Sequence, residues 1–209
     1  MTKQVLKLKE RTAVFIDASN IIYGARDYGW RMDFRKLIKY LKERFGARKV
    51  FYYAGLDAEN KKQLGFYEKL QEFNYILRLV PVKTFKDGQR KGDVDSRMTF
   101  EMMKYFKEYD RAIVMTGDGD YYWVLEYLLA NKDKVSLLSF PERTARELKR
   151  LFKERFTDIN KIRKVVELRK SKKNRTDAFK GSVPRYYEPI ISKKKKCVNK
   201  KKKKQKKGK

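Results

Sequence analysis

The stretch Ala112-Ile113-Val114-Met115-Thr116-Gly117-Asp118-Gly119-Asp120 constrains this chain more than any other. Its first half is an apolar run of strand length, and a glycine-rich turn carrying two carboxylates cuts the run off. A continuous apolar run bounded by glycine reads as a strand buried on both faces, the habit of parallel sheets. Tyr121 to Ala130 then repeats apolar side chains at helical spacing, so the turn joins a strand to a helix. A second run, Ala13-Val14-Phe15-Ile16, ends in the same manner with Asp17-Ala18-Ser19-Asn20. In open α/β sheets ligands bind beyond the carboxyl ends of the strands. Asp17, Asp118 and Asp120 are therefore expected to meet at one end of one sheet.

The rest of the chain supplies that sheet. Strands are expected near 12–17, 49–54, 75–80, 111–115 and 134–140. Helices are expected from Asp33 to Phe45, from Asp57, from about Asp93 to Glu108, from Gly119 to Ala130, and from Pro141, with Leu148, Leu151, Phe152 and Phe156 on the last one's apolar side. Asp33 offers an N-cap and Gly46 a C-terminal stop. Asn20 to Met32 reads as a loop, and Thr157 to Leu168 as a small strand followed by a helix. Parallel strands need helix-filled, right-handed crossovers. The expectation is an α/β chain with a mostly parallel sheet of five or six strands, covered on both faces.

Composition then removes whole classes of chemistry. Histidine is absent, and the single cysteine, Cys197, sits among lysines. This excludes a Ser-His-Asp triad, a Cys-His pair, a His or Cys zinc cage and an intrachain disulfide. No apolar run approaches the length of a membrane span, about 20 residues, and charges interrupt the first eleven residues where a secretory core would lie. A cytoplasmic protein is expected. The formal net charge is +29. Residues 170–209 hold 18 Lys and Arg against Asp177 and Glu188, leaving +13 on the rest. Hydrophobicity collapses beyond Leu168, which divides the chain into a folded domain at 1–168 and a lysine-rich, disordered tail at 169–209. A surface this basic attracts phosphate polymers, so a nucleic acid is the expected partner, with self-association left open.

Several ionised carboxylates cannot share one place unless a proton or a cation intervenes. An all-oxygen donor set suits Mg²⁺ or Mn²⁺. Asp17, Asp118 and Asp120 are the expected ligands, and Asp95, in the first turn of its helix, can reach the same end of the sheet. Glu101 lies six residues on, roughly 120° around the helix and about 9 Å along it, and is the weakest candidate. Asn20 can orient Asp17 or a water, and Lys91 precedes Asp95 in a position suited to a phosphate. Each residue has a plainer reading beside this one: Asp118 or Asp120 as a helix cap, Asp95 as an acid favoured by the helix dipole, and Lys91 as one more surface lysine.

Three motifs together give the chain a family likeness: FIDASN at 15–20, KGDVD at 91–95 and TGDGDY at 116–121. In order and spacing they resemble NYN-domain proteins of the LabA-like group, within the PIN-like nuclease superfamily, over residues 11–160. The resemblance implies an α/β/α sandwich and metal-dependent endoribonuclease activity. It places Asp17, Asn20, Asp95, Asp118 and Asp120 on the family's acidic-site positions and Glu101 where many members carry another acid. Thr116 stands in for the usual Ser, and Tyr121 for the usual Phe.

On that footing the expected chemistry is hydrolysis of an RNA phosphodiester, the RNA being single-stranded or structured. Asp17, Asp95, Asp118 and Asp120 would hold metal, with Thr116, Asn20 and Glu101 in support. Arg90, Lys91 and Arg97 would contact phosphates, while Tyr28 and Trp30 would stack bases. Two rivals remain. One is a non-catalytic RNA-binding or ribosome-associated protein with a vestigial acidic site. The other is a Toprim-like centre, which wants a glutamate where this chain has Asp17.

Overall fold

The computed structural model describes residues 10–84, 90–91 and 93–169, with side chains at 10–82 and 93–169. In chain order the elements are β1 (Thr12–Asp17), α1 (Ala18–Asp27), α2 (Phe34–Phe45), β2 (Ala47–Leu56), α3 (Lys61–Glu72), β3 (Ile76–Pro81), β4 (Lys83–Thr84), β5 (Arg90–Lys91), α4 (Val94–Lys104), β6 (Arg111–Met115), α5 (Tyr122–Asn131), β7 (Lys134–Ser139), α6 (Arg146–Phe152), β8 (Phe156–Asp158) and α7 (Arg163–Val166). Six strands form a parallel sheet in the order β3-β2-β1-β6-β7-β8, while β4 and β5 make a separate antiparallel pair. The chain works outward from β1 through β2 to β3, returns to the other side of β1, and works outward again. The reversal lies between β1 and β6.

Helices cover both faces, and β1 shows why its run is apolar throughout. Val14 and Ile16 belong to one core layer, with Ile21 of α1, Leu37 and Leu41 of α2 and Leu70 of α3. Ala13 and Phe15 belong to the other, with Met98 and Met102 of α4, Leu125 and Leu128 of α5 and Leu148 of α6. Successive strand side chains point to opposite faces. Asp17, two residues after Phe15, therefore continues the α4–α5 face.

The ends of the expected elements hold where a cap fixes them. Asp33 accepts from the amides of Arg35 and Lys36 at 3.0 and 3.1 Å. Gly46 ends α2 at φ +64°, in the left-handed region where a side chain is costly. Three expectations change. Residues 18–27 are a helix, not part of a loop: Ala18, Ile21 and Ala25 are buried at helical spacing, and Asp17 caps them by accepting from the Asn20 amide at 3.2 Å. The mixture of aromatic and charged residues hides that short stripe. The second expected helix begins at Lys61, because Asn60 accepts from the Gln63 amide at 3.1 Å, whereas Asp57 accepts from the Glu59 amide in the preceding turn. Pro141–Arg143 is a 3₁₀ turn, α6 starts only at Arg146, and Phe156 opens β8 instead of extending a helix. The expected lysine-rich tail, from residue 170 on, lies outside the described residues. Among the described residues no helix is long and apolar enough to cross a membrane.

Candidate functional site

Ligand crevices in α/β sheets form where the strand order reverses, and here that place is the carboxyl end of β1 and β6. The register Ile16↔Met115 sets Asp17 beside Thr116, one residue further on. The Thr116 hydroxyl donates to Asp17 Oδ2 at 3.1 Å and accepts from the Asp118 amide at 3.2 Å. Asp118 Oδ1 accepts from the Asp120 amide at 3.1 Å, capping the 3₁₀ turn Gly119–Tyr121. One threonine thus ties both strand ends together, and the capping that gave Asp118 its plainer reading also aims its carboxylate.

The turn requires glycine at 117. A Cβ there would lie 2.5 Å from the Arg143 carbonyl oxygen and 2.8 Å from Ser139 Oγ. The Ala145 amide donates to the Gly117 carbonyl at 2.9 Å, so the segment after β7 clamps the carboxylate turn from above.

Asp95 arrives from α4, whose N-cap Asp93 accepts from the Ser96 amide. One oxygen each of Asp95, Asp118 and Asp120 lies within 4.8 Å of the other two. Asp17, expected among the ligands, falls outside this group. It is 5% exposed, and its two oxygens already accept from the Asn20 amide and the Thr116 hydroxyl. It remains electrostatically part of the cluster. Burial pushes its carboxyl up to about 6, and the charges of Asp95 and Asp118 push the same way against those two hydrogen bonds. Asp95 is raised too, first by desolvation, then by Asp118, Asp120 and Asp93, with the Tyr121 hydroxyl opposing.

These residues fit a hard divalent cation. The donors are all oxygens, and the buried Asn20 Oδ1 has no hydrogen-bond partner among the described residues. An orphaned acceptor on the residue whose amide bonds the buried Asp17 is the kind of group that a cation or its water relieves.

Other candidates belong elsewhere. Glu101 is buried, but its oxygens are taken by Arg78 at 2.6 Å, Arg97 at 3.2 Å and the Tyr53 hydroxyl at 3.0 Å, so it is a structural ion-pair centre and not a partner of the aspartates. Arg97, expected on phosphate, spends its guanidinium on Glu101 and on the Leu79 carbonyl at 2.8 Å. Trp30 is 3% exposed, packs on Phe140 and donates to Asn160, and cannot stack a base. Tyr28 caps the far end of α1, about 15 Å along the helix from Asp17, and stacks on Phe140 at 5.4 Å. Both were placed at the site only because residues 20–32 read as a loop. Arg90 and Lys91 lie on β5, with side chains outside the described ones.

One residue was missed. Tyr121 is fully buried and donates its hydroxyl to Asp95 Oδ1 at 2.8 Å. Burial and the carboxylates of Asp17, Asp95 and Asp118 hold its phenol well above the usual range, so it stays a neutral donor. The sequence signal was a hydroxyl on the aromatic right after the turn, but its partner lies 26 residues away.

Comparison with known proteins covers most of the described chain. The NYN domain model matches residues 11–160. The low amplitude and bright protein LabA of Synechococcus elongatus is 30% identical over 165 residues, covering 75% of this chain and 88% of that protein. A crystal structure of a Vibrio parahaemolyticus protein of unknown function superposes with a TM-score of 0.64 at 24% identity, over 77% of this chain and 97% of that one. The match spans the sheet, the carboxylate turn and α4 alike, and the chain belongs to the NYN domain family, with LabA among its relatives.

Proposed function

We propose that this chain is a divalent-metal-dependent endoribonuclease that hydrolyses RNA phosphodiester bonds at the carboxyl ends of β1 and β6. The observation that carries the reading is the grouping of Asp95, Asp118 and Asp120 within 4.8 Å, beside a buried Asp17, at the reversal point of the sheet. Asp95, Asp118 and Asp120 would hold Mg²⁺ or Mn²⁺. Such an ion supplies Lewis-acid stabilisation of a phosphoryl oxygen and a lowered pKa for attacking water.

The chain's own residues prepare the place. Thr116 fixes Asp17 and the Asp118 backbone, Tyr121 fixes Asp95, and Asn20 presents a free acceptor. Asp17 keeps the centre strongly negative without entering the ligand group. Arg90 and Lys91, on the β4–β5 pair that leads into α4, are the proposed phosphate contacts. The net charge of +29 supports a polyanionic substrate. The same charge favours a second reading, an RNA-binding protein that does not cut.

Incubating wild type and Asp118→Asn with mixed single-stranded and structured RNA and DNA, with Mn²⁺ or with chelator, separates the two readings. Cleavage of RNA by wild type with Mn²⁺ alone, lost in Asp118→Asn with binding retained, is the expected result. Binding without cleavage by wild type would leave the second reading standing.

A further inference from the structure

The outer faces of α4 and α5 carry exposed apolar side chains, and the most exposed of them follows the aspartate turn. Trp123 is 77% exposed, Phe100 64%, Tyr127 47% and Met103 38%. A tryptophan this exposed is uncommon on a soluble fold. The two helices run side by side from the site: Tyr121, just before α5, bonds Asp95 in the first turn of α4, and at the other end Tyr127 meets Phe106 at 5.8 Å. Trp123 comes three residues after Asp120 of the 3₁₀ turn that leads into α5, and Tyr127 is its i+4 neighbour on the helix surface. Tyr122 packs edge-on against the indole at 5.3 Å and 89°, a support from the side.

We propose that Trp123, with Tyr127 one turn on, is a stacking platform for unpaired bases of a nucleic-acid strand whose phosphate sits at the aspartates. This rests on the reading that the substrate is a nucleic acid, and it adds a preference for single strands. Base-paired nucleotides keep their faces stacked on one another, whereas unpaired bases offer theirs to aromatic side chains. A second copy of the chain is a poorer occupant. Each copy carries +29, and two aromatic side chains fall short of the roughly 800 Å² per partner of a stable interface. Beside Trp123 the helix carries Glu126, and the basic groups lie toward the Tyr127 end, where the charge favours a polyanion: exposed Lys107 follows Phe106, the ring that Tyr127 meets, and the Lys132 ammonium lies 4.0 Å from that ring's centroid.

The chain has two tryptophans, and Trp30 is buried, so ligand-induced quenching reports Trp123. Wild type and Trp123→Ala are titrated with a single-stranded 12-mer oligouridylate and with an RNA duplex of the same length, in chelator. Quenching of wild type by the single strand, and affinity on the order of 10-fold weaker for it in Trp123→Ala, read for both proteins from the anisotropy of an end-labelled oligonucleotide, with duplex affinity and melting temperature unchanged, is the expected result. With Mn²⁺ the variant should then show a raised KM at unchanged kcat. Equal single-strand affinity of the two proteins, beside intact cleavage, would overturn the platform and leave the nuclease reading untouched. Quenching without any cleavage by wild type would overturn the nuclease reading and keep the platform. A fluorescence change that follows protein concentration without oligonucleotide would assign the surface to a second copy and overturn the proposal.

Discussion

Two buried carboxylates on the same layer of this protein, Asp17 and Glu101, are handled in opposite ways. Glu101 is 7% exposed and meets two guanidinium groups and a phenol; Asp17 is 5% exposed and meets an amide, a hydroxyl and the fields of further acids. A buried charge that finds an opposite charge is part of the scaffold. A buried charge left among like charges is kept for something the scaffold does not contain. The contrast separates structural acid from site acid better than position in the sequence does, because Glu101 and Asp95 share one helix.

The contrast can be broken experimentally. The largest effect is expected from Asp118→Asn, which removes a carboxylate charge from the group of three: metal-dependent cleavage should fall by about 10³-fold or more, measured as initial rate on a labelled RNA. Next, Glu101→Gln strands Arg78 and Arg97 around a neutral amide. It should destabilise the fold by about 3 kcal/mol in urea unfolding, while Mn²⁺ affinity stays close to wild type. A large loss of affinity with little loss of stability would move Glu101 to the site.

The same acid-to-amide change at Asp17 should act in the other direction. Its folded carboxyl titrates near 6, above the ordinary value of about 3.9 for the unfolded chain. The native state therefore binds more protons between these values, and metal-free stability is lost as pH rises from about 4 to 6. Asp17→Asn should remove much of that slope and stabilise the metal-free protein at pH 7 by about 2 kcal/mol, read as a higher Tm than wild type at pH 7 but not at pH 4. An unchanged slope would show that Asp17 is compensated after all. The smallest effect is expected from Tyr121→Phe, which deletes only the hydroxyl on Asp95: Mn²⁺ binding by calorimetry should weaken about 10-fold, with the fold intact.

Much of this was legible early because it is local. Apolar runs ending in Asp17 and Asp118 announced both central strands and the crevice, and Asp33 and Gly46 marked the ends of α2 by capping chemistry that needs no distant partner. What failed was also consistent. Residues 20–27, within the stretch 20–32 that reads as a loop, are helical because Ala18, Ile21 and Ala25 form a short buried stripe with Gly24, whose missing Cβ makes room for the Phe140 ring and gives no apolar signal. A loop there would leave Tyr28 and Trp30 near Asp17; the helix carries Tyr28 to its far end and Trp30 into the core beyond it.

By itself the sequence determined the α/β class, the absence of His and Cys chemistry, and a set of aspartates at strand and helix ends, since these follow from residue type and short-range periodicity. Only the tertiary structure decided which acids act together. What a carboxylate meets depends on what the fold packs beside it on the same face of the sheet: Arg78 reaches Glu101 from 23 residues away and Tyr121 reaches Asp95 from 26 residues away, and no spacing rule along the chain encodes those meetings.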